Sequence, residues 1–354
     1  MRGRWRYTVR HQQPSIKENM KTKICTSPSL VPMALILGSI VVLSVMGLVF
    51  CWVCPDMLHG VGGDASRWYF KRQVVWNVVG IAAFYTATVI GWKRWLNVAP
   101  FLFEGWVALW FAAHMQQSVD GSSAIVQIGP ISLDVWTLFP VSLALLVAWL
   151  RERYGIRTRR ILFIVGIVAL VVTACYLVTD TNRMTRLVAF FAGDSSPAMS
   201  PSACARGFAQ GQTCKAFAQA QWFSSTDVEI LRSLPGKMTY SMPASSAVMF
   251  GKWFMSLVGG FFAVIACCLA WLWRVTEDRA KRAFILVIGL GIIVPAVFGV
   301  CQCLGIVPMS YTCVPIASNC TTSILASWLG VGILVSICVD RGELIWSRAE
   351  YLSH

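Results

Sequence analysis

The feature that most constrains this chain is a series of eight apolar stretches, each close to the length of one membrane span. A helix needs about 20 mostly apolar residues to cross the roughly 30 Å hydrocarbon core of a bilayer. Hydrophobic residues make up 56% of the chain and charged residues 13%, which excludes a large soluble enzyme. We therefore predict an all-α fold, a polytopic integral membrane helical bundle. The predicted spans are 31–53, 74–91, 96–113, 131–150, 161–178, 247–273, 283–303 and 324–339.

Lys and Arg residues set the predicted orientation, because basic residues are retained on the cytoplasmic side of a membrane. With the N-terminus inside, 20 of the 30 Lys and Arg residues fall in the inner segments. Both termini are then cytoplasmic, and the long polar segment 180–246 is one large extracytoplasmic loop. The inner loops and the basic tail account for the net charge of +14, so this charge does not indicate nucleic-acid binding. The tail is expected to lie against anionic membrane lipids.

These features divide the chain into five predicted parts: a cytoplasmic tail, a first membrane half of about five spans, the loop, a second half of about three spans, and a final cytoplasmic tail. Their bounds are 1–30, 31–179, 180–246, 247–340 and 341–354.

Two departures from regular helix are predicted on the outer side. Pro308 and Pro315 each remove a backbone donor, so 304–323 is expected to be a broken segment. Gly129 and Pro130 indicate a turn before the fourth span. Asp134, near the start of that span, is expected to cap its N-terminus, and a functional role is the alternative.

Glu104 lies near the middle of the third span. A carboxylate in hydrocarbon costs on the order of 2.5–3.5 kcal/mol on insertion scales, so it is expected to face the bundle interior or a wet cavity. Alternatively, the span is shifted, and Glu104 lies near the inner interface beside Lys93 and Arg94. An acid inside the bundle would suit a small-solute transporter, although the sequence has no internal repeat.

Four of the thirteen cysteines are predicted on the outer face, as the pairs Cys204 with Cys214 and Cys313 with Cys320. Each pair can close a short disulfide loop in an oxidising compartment, and free thiols are the alternative. The sequence has no CxxC repeat and no HExxH pattern, so no metal site is predicted.

Several collinear motifs resemble the SEDS family, the FtsW, RodA and SpoVE group of cell-wall proteins. LGIVPMSYTCVPIASNCTTS, at 304–323, is similar without gaps to a family segment. YFKRQVVW, at 69–76, has the family's aromatic pair, its Arg-Gln and its apolar helix, and GLVF at 47–50 and IGPISL at 128–133 match as well. The coinciding residues of the first segment are Leu304, Gly305, Pro308, Pro315, Ser318 and Ser323.

The resemblance implies a role in peptidoglycan synthesis at the bacterial inner (plasma) membrane, in cell division or in cell-shape maintenance. The family polymerises lipid II, a lipid-linked disaccharide-pentapeptide, into glycan strands. It works with a class B penicillin-binding protein, which is a transpeptidase. By resemblance, the expected lipid-substrate contacts are Arg72, Gln73, Pro308, Pro315 and Ser318.

The departures from the family concern catalysis. The family has ten spans, and its catalytic Asp falls on Tyr240 while its two Glu fall on Val248 and Met249. Tyrosine, with a reference pKa near 10, is a poor general base at neutral pH. Reduced or lost polymerase activity is therefore predicted, and an active glycosyltransferase that uses Asp227 or Glu229 as base is the alternative. No cofactor is certain, although an active enzyme can use a divalent cation at the diphosphate.

Overall fold

The structure is a computed structural model that describes residues 29–59, 64–115, 125–128, 131–157, 160, 163, 211–223, 228–234, 241–307 and 313–351. Seven helices in these ranges are long and apolar enough to cross a membrane. They form the predicted all-α bundle, which carries a two-stranded antiparallel hairpin at one end. The predicted fifth span, 161–178, lies outside the described residues apart from residue 163.

The described part of the first membrane half contains four spanning helices and the hairpin. Gly91, with φ of 80°, separates the second helix from the third, and Gly155, with φ of 62°, ends the fourth. Positive φ has little cost for glycine, which explains why both helices end there. In chain order the elements are α1 (Leu30–His59), α2 (Asp64–Ile90), α3 (Trp92–Met115), β1 (Ile125–Ile128), β2 (Ile131–Asp134) and α4 (Val135–Tyr154).

The fourth span begins later than predicted, because 131–134 form a strand and not the first turn of the helix. Ile128 pairs with Ile131 next to the predicted turn, and β-branched residues on both sides favour a hairpin. The helix begins at Val135. Asp134 caps it as predicted, because its carboxylate accepts a hydrogen bond of 3.0 Å from the backbone N–H of Trp136.

The described residues after 211 contain three spanning helices and two short ones. The helical stretch 211–219 and the first short helix both belong to the predicted loop, so this loop is partly helical. In chain order the elements are α5 (Val228–Ser233), α6 (Met242–Phe250), α7 (Lys252–Val275), α8 (Arg279–Cys303) and α9 (Thr321–Tyr351).

The sixth span is not the single helix predicted over 247–273. The chain breaks at Gly251, where φ of 95° and ψ of 162° are accessible to glycine and not to other residues. The break leaves α6 as a nine-residue helix whose first eight residues are buried. The spanning helix α7 starts only at Lys252, so the burial of α6 anchors the end of the long loop in the bundle.

Helices α2 and α9 pack closely along their length. A β-carbon on Gly80 would collide with the Trp328 ring, and one on Gly332 would lie 2.8 Å from the β-carbon of Ala87. Small residues allow two membrane helices to approach in this way. The Trp328 indole N–H also donates to the Asn77 side-chain oxygen at 3.4 Å. This contact fixes the start of α9 beside the half of α2 that carries the Arg-Gln motif.

Candidate functional site

The chain between α8 and α9 forms a buried turn, 313–320, which we call the outer turn because the charge pattern predicts it to be extracytoplasmic. Ile316 has φ of 65° and no exposed surface. The Ala317 N–H donates to the Pro315 carbonyl at 2.6 Å across this residue. A β-branched residue at positive φ is strained, and such strain persists only where the surroundings impose it. The outer turn is therefore held in shape by the helices around it.

Two of the five lipid contacts expected from the resemblance, Pro315 and Ser318, lie in the outer turn. Pro315 is buried, and the Ser318 hydroxyl donates to the Val314 carbonyl at 2.7 Å. This bond satisfies the Ser318 hydroxyl within the turn, so its contribution is to shape the turn. Pro308 lies outside the described residues.

Gln73 lies against the outer turn. Its side chain is fully buried, and neither of its amide atoms has a hydrogen-bond partner. A β-carbon on Gly47 would lie 3.2 Å from the Gln73 amide nitrogen and 2.8 Å from the Ala317 carbonyl oxygen. Gly47 in α1 therefore makes room for an approach of the turn to Gln73. A buried amide without partners is costly, which marks Gln73 as the clearest ligand-binding candidate among the described residues.

Arg72 precedes Gln73 and lies at the edge of the same region. Its guanidinium carbon is 5.1 Å from the centroid of the Trp68 ring, within cation–π range. Arg72 is half-buried, whereas Lys71 beside it is exposed. The ring thus holds the Arg72 guanidinium in place, and a planar guanidinium binds phosphate oxygens in pairs.

The Cys313 and Cys320 thiols face each other across the outer turn. The hydrogen bond with Cys320, together with burial and the nearby Asp134 carboxylate, raises the pKa of Cys313 well above its usual value. Both cysteines are reduced in the structure. The disulfide between them stays a prediction, with the two side chains in contact.

The second predicted pair is arranged differently. The Cys214 thiol donates to the Gln302 carbonyl at 3.7 Å, at the outer end of α8, and burial raises its pKa. Gly305, with φ of 71°, leaves the space that the Cys214 sulfur occupies. Cys214 therefore anchors the stretch 211–219 on the bundle, and Cys204 lies outside the described residues.

Helix α6 carries the positions that correspond to the family's two Glu. Val248 and Met249 are 2% and 4% exposed and belong to the hydrophobic core. Ser245 is also buried, and its hydroxyl has no partner. Apolar side chains thus fill positions where the family has carboxylates.

Only one of the two candidate bases lies among the described residues. Glu229 is described, and it is exposed on the short helix α5. Tyr240 and Asp227 lie outside the described residues. An exposed Glu229 is what a solvated loop side chain would show. Its use as a catalytic base stays a prediction.

Glu104 does not face the bundle interior. It is the thirteenth of the 24 residues of α3 and is exposed on the outside of the helix. The span begins at Trp92, so Glu104 is also too far along the helix to lie beside Lys93 and Arg94. The expected position beside Lys93 and Arg94 was therefore wrong, as was burial in the bundle interior, whereas a wet cavity next to Glu104 stays a prediction.

Two contributors to the site were missed by sequence reasoning. Thr322 accepts a hydrogen bond of 2.9 Å from the Asp134 backbone N–H and so joins the hairpin to α9. Gly47 was noticed only as part of the GLVF match, although a glycine inside an apolar helix is a signal for close approach. Among the described residues, no cluster of His, Cys, Asp or Glu is arranged to hold a metal ion.

Comparisons with known proteins give likeness in structure alone. No protein-family profile and no curated protein sequence matches the chain. A peptidoglycan synthase complex, described for its coordination of polymerization and crosslinking, is similar with a TM-score of 0.62 and 15% identity, covering 85% of this chain and 97% of that one. Rod-shape-determining protein RodA of Thermus thermophilus gives a TM-score of 0.59 and 15% identity, over 85% and 96% of the two chains. A point mutant of that RodA gives 0.60 and 16%, over 86% and 97%. The chain is thus a multi-pass membrane protein with the fold of RodA, which confirms at the level of the fold its resemblance to the SEDS family.

Proposed function

We propose that this chain is a SEDS-type assembly protein of the bacterial plasma membrane, which handles lipid II in cell division or cell-shape maintenance and has reduced or lost glycan polymerase activity. The observation that carries the proposal is the fully buried, unpartnered amide of Gln73 beside the outer turn. The same Arg-Gln motif and the same turn carry the sequence resemblance. A RodA-like fold over 85% of the chain supports the same reading.

The proposed substrate site uses the lipid diphosphate as its main recognition element. Arg72 contacts phosphate oxygens through paired N–H donors. Gln73 supplies an amide in a dry environment, where a hydrogen bond is stronger than in water. Pro315 and Ser318 maintain the shape of the outer turn, against which the headgroup is proposed to lie, and Pro308 is a lipid contact by the resemblance alone.

Loss of polymerase activity follows from what replaces the carboxylates. An acceptor hydroxyl must lose a proton as it attacks the anomeric carbon, and removal of a general base typically costs about 10²–10⁴-fold in rate. Tyr240 is a poor base at neutral pH. Val248 and Met249 belong to the apolar core, so these two positions offer no carboxylate to the leaving diphosphate or to a divalent cation.

Two partners follow from the proposal. The first is lipid II itself. The second is a class B penicillin-binding protein, the transpeptidase that would crosslink the strands, and the likeness to a subunit of a peptidoglycan synthase complex supports it. A protein without polymerase activity would retain both partners and act as a scaffold or regulator.

The transporter alternative has lost its main support. It depended on Glu104 as an acid inside the bundle, and Glu104 is exposed on the outside of α3. The active glycosyltransferase remains as an outcome of the test, because Asp227 and Glu229 are present in the loop.

The test is lipid II polymerisation by the purified protein, alone and with its co-purifying transpeptidase, next to a Tyr240→Asp variant. No glycan strands are expected from the wild type, and strands from the wild type would overturn the loss of activity and direct attention to Asp227 and Glu229. Restored synthesis in Tyr240→Asp would show that the rest of the site is intact.

Binding of lipid II is measured separately. Arg72→Gln is expected to weaken binding, and Lys71→Gln is the matched control, since it removes the same charge from an exposed neighbour. Equal binding by both variants would remove Arg72 from the site. No binding of lipid II by the wild type would overturn the proposed function as a whole.

A further inference from the structure

Glu104 occupies an unusual position for a charged residue in a membrane protein. It lies about 18 Å from the inner end of α3 and about 17 Å from the outer end, at 1.5 Å per residue. Its side chain is exposed on the outside of the bundle. It is too short to reach the interface at either end, so it cannot escape the hydrocarbon by extending along the helix.

The residues around Glu104 are apolar. Phe101, one turn earlier, is 71% exposed, and Phe111, two turns later, is 59% exposed. Gly105 is open, since a β-carbon there would meet nothing within 4 Å. Among the described residues, no ion pair or hydrogen bond involves Glu104. Helix α3 is also the least buried of the seven described spans, since only 17% of its most apolar stretch is buried inside the bundle.

Acids inside membranes face the bundle interior or a wet cavity, or they pair with another polar group. Glu104 is not buried in the interior of the described bundle and has no polar partner there, which makes a polar group outside the described bundle the candidate partner. Exposed Gly105, Ala108 and Ala112 would allow a second helix to approach closely, as small residues do in membrane helix pairs.

We propose that this face of α3, which we call the Glu104 face, binds a membrane-spanning helix of a partner protein that carries a Lys or Arg near its own middle. The argument is charge complementarity at the midplane, where an acid and a base each remove the cost of burying the other. A second copy of this chain would bring two like charges together and force one carboxyl to take up a proton, whereas a basic partner requires no such change. The predicted fifth span, 161–178, contains no basic residue and cannot supply the countercharge. The inference does not depend on the proposed handling of lipid II.

The first test uses synthetic leucine-rich membrane helices as probes. The full chain, labelled with a fluorescent donor, is reconstituted in phosphatidylcholine vesicles with acceptor-labelled helices that carry Arg, Leu or Glu at the centre. Energy transfer reports binding. We expect the affinity for the Arg helix to be at least about tenfold higher than the affinity for the Leu helix, which corresponds to about 1.4 kcal/mol. Glu104→Leu should abolish this preference, and Glu104→Arg should transfer it to the Glu helix.

Equal affinity of the wild type for the Arg and Leu helices would overturn the proposal. So would a preference for Arg that survives in Glu104→Leu, because another acid would then be responsible. Energy transfer between copies of the wild-type chain that is lost in Glu104→Leu would assign the face to self-association and overturn it as well.

The second test identifies the partner in native membranes. A photo-crosslinking amino acid replaces Phe101, and the control replaces Tyr85, which is 70% exposed on a different helix, α2. Capture counts as support only if the crosslinked peptide is a membrane span with a central Lys or Arg, and if Glu104→Leu removes it. A crosslinked span without a basic residue would overturn the proposal.

Discussion

Gly47 offers a direct test of how closely the outer turn approaches α1. In Gly47→Ala, the new β-carbon would lie 2.8 Å from the Ala317 carbonyl oxygen and 3.2 Å from both the Ile316 carbonyl oxygen and the Gln73 amide nitrogen. Two of these three atoms are backbone atoms, which cannot rotate away. Overpacking of this kind costs about 1–3 kcal/mol.

The matched control is Gly38→Ala on the same helix. Gly38 is exposed, and a β-carbon there would meet nothing within 4 Å. Both substitutions gain the same helix propensity, roughly 1 kcal/mol for Ala over Gly. The propensity term therefore cancels in the difference between the two variants, which should equal the overpacking cost of about 1–3 kcal/mol.

The assay is equilibrium unfolding in mixed micelles by titration with sodium dodecyl sulfate, followed by tryptophan fluorescence. We expect Gly38→Ala to be as stable as the wild type or more so, and Gly47→Ala to be less stable than Gly38→Ala. Equal free energies of unfolding for the two variants, within about 0.5 kcal/mol, would refute the close approach of the turn to α1.

Three further predictions concern the outer side. Asp134→Ala should lower the free energy of unfolding by about 0.5–2 kcal/mol through loss of the α4 cap, while Asp134→Asn retains most of it; equal stabilities of the two variants would contradict the role of the cap. In the reduced protein, Cys320→Ala removes the first cause of the raised pKa of Cys313, so the pH midpoint of Cys313 alkylation, followed by peptide mass spectrometry, should fall. An unchanged midpoint would show that the contact between the thiols is absent. Lys252→Met removes a hydrogen bond of 3.1 Å to the Ala218 carbonyl, so amide exchange over 211–219 should become faster, whereas Lys215→Met, which changes an exposed lysine, should leave it unchanged.

Features determined by local sequence were predictable. Long apolar runs defined the described spans, and Asp134 was identified as a cap because the preference for Asp at a helix start is local. The strand at 131–134 and the helix break at Gly251 were missed, because hydropathy counts apolar residues without regard to backbone geometry. A strand and a helix of similar composition are hard to separate over so few residues.

The arrangement of the site depended on contacts between distant parts of the chain. The resemblance directed attention to Gln73 and Ser318, but it could not show that Gln73 is buried without partners. The exposure of Glu104 could have been read from the sequence, because at 3.6 residues per turn the polar residues of α3 fall on the same side as Glu104. The burial of Val248 and Met249 became visible only when α6 was seen inside the bundle.

The length of α9 has a mechanical consequence. Its 31 residues span about 46 Å, and its apolar span, the 19 residues Thr321–Val339, accounts for only about 28 Å of this length. The helix begins directly after Cys320, at the end of the outer turn. It continues without a break beyond Val339, where the apolar span ends. A tilt of about 5° with the outer end fixed would displace the far end by about 4 Å. One rigid lever therefore links the wall of the candidate binding site to the other side of the bilayer.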